Sequence, residues 1–151
     1  MKLGIVSDHR GFNTKQELTK KLKDKGYNIT DYGTFSTERV DYTKFGFLIG
    51  EKVAKKEVDY GIAICGSAIG ISIACNKVKG VRCGKINTKE EAIHAKENDF
   101  VNIIALSGEN ITVEENEEIV EAFLASKENE VDPTYKKRVD QITYYEETNE
   151  Y

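Results

Sequence analysis

The sequence predicts a three-layer α/β/α domain of Rossmann-like type, built on a five-stranded parallel sheet. Three observations carry this. Short, nearly all-apolar segments recur along the chain, as strands covered on both faces require. Helical spacing separates them, and such alternation returns each strand parallel to the last through a right-handed crossover. The 151 residues suit a single core, so 1–151 is read as one domain.

The first strand is Lys2–Ser7, which runs out into the polar stretch Ser7-Asp8-His9-Arg10-Gly11. Thr14–Lys25 is the first helix. Leu18 and Leu22 share one face, lysines take the opposite, solvated face, and Gly26 is the stop. Tyr27–Asp31 reads as a strand and Tyr42–Lys56 as a helix. Asp59–Cys65 is the third strand and leads through Gly66-Ser67 into a helix at Ala68–Asn76. Strands at Gly80–Lys85 and Asn102–Leu106 enclose a helix at Lys89–Glu97. Val113–Ser126 opens with a capping box, Thr112 and Glu115, and sets Ile119, Val120, Phe123 and Leu124 on a core stripe. Asp132-Pro133 opens a last helix to about Glu147, with Val139, Ile142 and Tyr145 on one face and Lys136, Lys137 and Arg138 near its start. Docking of that face on a partner subunit and docking on its own domain are both open on pattern alone.

Composition narrows the function. A net charge of −4 with no basic block argues against nucleic acid as a partner. No apolar run is long enough to span a membrane, and mean hydropathy is −0.52. The start, MKLGIVSDHRG, lacks the pattern of a signal peptide, so a cytoplasmic protein is expected. Cys65, Cys75 and Cys83 have no CxxC spacing, which supports neither disulfides nor a zinc knuckle. Cys75 is read as packing within its helix and Cys83 within its strand. Only His9 and His94 supply imidazole.

Ligands of open parallel sheets bind at the carboxyl ends of the strands. The first such end concentrates Asp8, His9 and Arg10; capping of the next helix is the plain reading of Asp8 alone, whereas the Asp-His pair points to a site. The third ends in Cys65-Gly66-Ser67-Ala68-Ile69-Gly70, small residues whose backbone N–H groups can converge on a phosphate or a transient oxyanion. The segment is neither a Walker A loop nor a GxGxxG fingerprint. Cys65, at the mouth of this turn, is in a setting that favours a thiolate, which makes it a candidate base or nucleophile.

The segments SDHRGFNTK, DYGTFSTERVDY and GIAICGSAIGISIACNKVKGVR together resemble the ribose-5-phosphate isomerase B and galactose-6-phosphate isomerase family. The resemblance implies aldose–ketose isomerisation of a sugar phosphate without a metal or other cofactor. It also implies homo-oligomers, or hetero-oligomers with a paralogous subunit, whose sites lie between subunits. Carried over by position, Cys65 is the proton-transferring thiol, Ser67 retains a catalytic hydroxyl where threonine is usual, and Gly66, Ala68, Ile69 and Gly70 supply amide donors. Ala68 replaces a glycine. Asp8, His9 and Tyr42 contact the sugar.

The second half departs from the pattern. Asn98, Asp99 and Phe100 stand where the family has His-Asn-Asp, so the usual ring-opening acid is missing. Asn98 and Asp99 remain substrate-side positions by this match. His94, one turn earlier, is a substitute acid or an ordinary solvated histidine. Glu109 stands at a phosphate-arginine position, and of those arginines only Arg138 matches. Ala95-Lys96-Glu97 is similar to the B-type galactose-6-phosphate isomerase subunit. Three readings result: a ribose 5-phosphate isomerase, the cysteine-bearing subunit of a hetero-oligomeric hexose-6-phosphate isomerase, and a sugar-phosphate-binding protein without catalysis.

Overall fold

A computed structural model describes residues 1–151. Its elements run β1 (Lys2–Ser7), α1 (Phe12–Asp24), β2 (Asn28–Asp31), α2 (Tyr42–Ala54), β3 (Tyr60–Cys65), α3 (Ile69–Asn76), β4 (Cys83–Lys85), α4 (Lys89–Asp99), β5 (Ile103–Ser107), α5 (Val113–Ala125) and α6 (Pro133–Thr148). All strand pairs are parallel, in the order β2-β1-β3-β5-β4. The expected three-layer fold is present. Alternation along β3 divides the core: Ile62 and Ile64 join Leu18, Leu22, Ile119 and Phe123 on one face. Ala63 and Cys65 join Phe45, Ile49 and Ile71 on the other. The thiol therefore lies in the layer of α2 and α3.

Two glycines let α2 approach α3 and the turn after it closely. A Cβ on Gly46 would sit 2.6 Å from the Ala74 Cβ, and one on Gly50 2.7 Å from Val78. Gly11 serves the same purpose at the site, since a Cβ there would meet the Ile64 carbonyl oxygen at 2.7 Å. Side chains at these positions would force overpacking of a dense interior.

Several local expectations change. The fourth strand begins at Cys83 rather than Gly80, because Gly80 has φ +85° and the Arg82 N–H bonds to the Asn102 side chain at 2.8 Å instead of joining the ladder. α4 continues through Asp99 and stops at Phe100, whose left-handed φ of +49° ends the helix. The lysines of α1 are not all solvated: Lys15 is fully buried and paired with Asp31, its ammonium 5.4 Å and 5.3 Å from the Phe12 and Phe35 ring centres. Lys15 lies three residues before Leu18, on the core face. In α6 only Val139 is buried, and Ile142 and Tyr145 stay about half exposed. That helix packs mainly on α4. Cys75 and Cys83 pack as expected, and the neighbouring Cys75 thiol together with burial pushes the Cys83 thiol pKa up.

Candidate active site

Parallel pairing of β1 with β3, and of β3 with β5, brings three strand ends together, with Cys65 opposite Ser107 in register. Cys65 is 4% exposed. The mouth of β5 braces the loop that follows it. Gly108 N–H donates to the Cys65 carbonyl (2.9 Å), Glu109 N–H to that of Gly66 (3.2 Å), and the buried Ser107 Oγ donates to the Gly66 carbonyl at 2.6 Å.

These bonds leave donors free in the loop. The backbone N–H groups of Gly66, Ser67, Ala68 and Gly70 have no protein acceptor, while Ile69 N–H donates to Ser67 Oγ (3.2 Å). Ala68 sits at φ +67° at the N-cap of α3, a left-handed residue of the kind from which successive backbone N–H groups can build an anion nest. That conformation favours glycine, which gives the glycine usual at this position its physical reason; alanine holds it here under strain.

The remaining near-side residues enclose a cavity of about 330 Å³, lined by Asp8, His9, Arg10, Arg39, Val40, Asp41 and Tyr42. Asp8 does not cap α1, whose N-cap is Gly11; its Oδ1 instead accepts from Arg10 and Gly11 N–H (2.9 and 3.0 Å) in the turn before the helix, and its Oδ2 is unbonded. His9 Nδ1 is held 3.2 Å from both the N–H and the carbonyl oxygen of Val40, and Nε2 has no partner. The Tyr42 ring lies against Gly70, where a Cβ would come within 2.7 Å of it. The fold thus gathers Asp8, His9, Tyr42 and Cys65 through Gly70 at one end of the sheet.

Asn98, Asp99 and Arg138 are not among them. Asn98 and Asp99 occupy the last turn of α4, which leads into the amino end of β5, away from Cys65. Arg138 is exposed on α6, and its guanidinium has no partner. At this far end Asn98 donates its side-chain amide to His94 Nδ1 at 2.9 Å, and His94 Nε2 is 3.9 Å from Asp99.

A family model described as Ribose/Galactose Isomerase matches residues 3–142. The chain belongs to this isomerase family. It is 37% identical to a solved ribose-5-phosphate isomerase B of Clostridium thermocellum, with a TM-score of 0.95 over 99% of this chain and 100% of that one. A solved ribose-5-phosphate isomerase B of Mycoplasma genitalium with bound ribulose-5-phosphate is 35% identical, with a TM-score of 0.91 and 97% of each chain covered. The galactose-6-phosphate isomerase subunit LacB of Clostridium acetobutylicum is 37% identical over 127 residues, 84% of this chain and 73% of that one.

Within this family member, two features escaped the sequence. Arg10 and Glu109, 99 residues apart, form a two-point ion pair across the loop that follows Cys65, Nε to Oε1 at 2.6 Å and Nη2 to Oε2 at 2.5 Å. Lys96 is 3% exposed, and its Nζ has no hydrogen-bond partner. It lies 3.3 Å from the Tyr60 ring centre and 4.9 Å from that of Phe123. Burial is the main cause of a pKa lowered to about 8; Glu128 opposes the shift and Arg82 adds to it. Neither feature leaves a local signal, since each depends on residues that only the fold brings together. No helix is long and apolar enough to cross a membrane.

Proposed function

We propose that this protein interconverts ribose 5-phosphate and ribulose 5-phosphate, with Cys65 as the base. The observation that carries the reading is a thiol placed at the start of a loop with four unpaired backbone N–H groups, beside Asp8 and His9. Isomerisation moves one hydrogen from C2 to C1. The Cys65 thiolate takes the C2 proton of the open-chain aldose, and the pair of electrons left behind places negative charge on O1 of a cis-enediolate. The free amides of Gly66, Ser67, Ala68 and Gly70 stabilise that charge. The thiol returns its proton at C1 while the O2 proton passes to O1, leaving the ketone at C2. A positioned base contributes about 10²–10⁴-fold, and a single oxyanion donor about 10²–10³-fold. Ser67 shapes the loop by accepting from Ile69.

Asp8 Oδ2 and His9 Nε2, both unbonded, contact the sugar hydroxyls. The groups at the far end reach a sugar only in an assembly, so the full site takes its other half, with Asn98, Asp99 and Arg138, from a second copy. In that half His94, oriented by Asn98, delivers the proton that opens the ring. Support comes from its 68% exposed side chain.

The likeness to a LacB subunit, together with asparagine at position 98, favours a second reading. In it this chain supplies the cysteine half of a hexose-6-phosphate isomerase, and a different chain supplies the acid. Assay of the purified chain alone separates the two. Turnover of ribose 5-phosphate supports the first. Inactivity relieved by a histidine-bearing partner chain supports the second. Substrate binding with no C2 exchange under any pairing leaves a binding protein.

A further inference from the structure

We propose that Arg10, oriented by Glu109, binds the phosphoryl group of the substrate and sets the preference for phosphorylated over free sugars. This rests on the isomerase reading and adds to it a residue outside the thiol and its amide nest. Arg10 follows the Asp8-His9 pair and lines the same cavity of about 330 Å³. A Cβ on Gly66 would lie 2.8 Å from Arg10 Cζ, so the guanidinium rests directly over the peptide that follows Cys65.

The stereochemistry of the pair decides what Arg10 can do. A guanidinium has five N–H groups in a rigid fork. Glu109 uses Nε and one N–H of Nη2, which share one edge. The opposite edge, formed by Nη1 and the second N–H of Nη2, has no partner. It is a complete two-donor fork suited to a second oxyanion. Glu109 also removes the freedom that a lone arginine would lose on binding. Hydrogen bonding to Glu109 raises the Arg10 pKa, with Coulombic help from Glu109, Asp8 and Cys65, so the cation is held charged.

The other charges of the cavity favour such a cation. Asp8 and Asp41 both line it and would repel a phosphate dianion. Arg39 is the other guanidinium there, but it is exposed and has no hydrogen-bond or ion-pair partner to orient it.

The test uses Arg10→Met and Arg10→Lys in the full chain, with thermal melting to establish that both fold. Steady-state kinetics on ribose 5-phosphate are measured alongside inhibition by inorganic phosphate. Arg10→Met is expected to raise both KM and the phosphate inhibition constant by roughly tenfold or more, the size of a charge-assisted hydrogen-bond pair, with a smaller loss in kcat. Arg10→Lys restores part of each. Unchanged KM and phosphate inhibition overturn the proposal, whatever happens to kcat or melting temperature. If the wild-type chain turns over no phosphorylated sugar, the isomerase reading fails separately. Calorimetric titration with inorganic phosphate then decides the role of Arg10: binding weakened in Arg10→Met upholds it, and equal binding in the two proteins overturns it.

Discussion

Cys65 and Asn98 lie at opposite ends of one sheet. Cys65 closes β3 at its carboxyl end, and Asn98 sits on the last turn of α4, which leads into the amino end of β5. Parallel topology imposes this separation, because every returning helix ends where the next strand begins. A site that uses both residues therefore needs two copies of the chain.

Mixing experiments test that arrangement. Cys65→Ala and His94→Asn proteins are each expected to be strongly impaired. Unfolded and refolded together, they should regain roughly a quarter of wild-type activity, the share of intact sites in a statistical mixture of two-fold dimers. A mixture no more active than its components contradicts the two-copy site.

Ser107 braces the loop after Cys65 from β5. Its buried hydroxyl donates to the Gly66 carbonyl and accepts from Asn110 N–H (3.0 Å). Ser107→Ala leaves Asn110 N–H without its acceptor and the Gly66 carbonyl with only the Glu109 N–H, and should cost about 1–3 kcal/mol. For a chain of this length that lowers the melting temperature by about 2–4 °C per kcal/mol. Calorimetry showing an unchanged melting temperature would count against the brace.

Lys96 makes stability depend on pH. Its folded pKa of about 8 lies below the usual 10.5, so between these values the unfolded chain binds more protons. Stability from this group rises with pH through that window. Lys96→Met removes the titration. Its stability relative to wild type, from urea unfolding, should be most favourable below pH 8 and decline towards pH 10.5. A difference that does not vary with pH contradicts the assignment.

The periodic features were legible. Nearly pure apolar strands such as Tyr60–Cys65 and the Thr112–Glu115 capping box announce themselves within a few residues. The start of β4 was not, because the Arg82 N–H is diverted to the side chain of Asn102, twenty residues on. Near-side residues Asp8, His9 and Cys65 could be grouped because ends of parallel strands cluster. The Arg10–Glu109 pair and the ring contacts of Lys96 are long-range, and the charge pattern of either segment suits a solvated surface equally well. His94 falls between these cases: helical spacing places it one turn from Asn98, but only coordinates show the hydrogen bond.

Proton transfer by Cys65 is tested most directly by incubating ribose 5-phosphate in D₂O with wild-type and Cys65→Ala proteins and following deuterium at C1 of ribulose 5-phosphate by NMR. The wild-type chain is expected to incorporate deuterium during turnover. In Cys65→Ala, both incorporation and turnover should fall by about 10²-fold or more, with melting temperature showing that the fold is kept. Deuterium incorporation by Cys65→Ala at the wild-type rate would contradict the account.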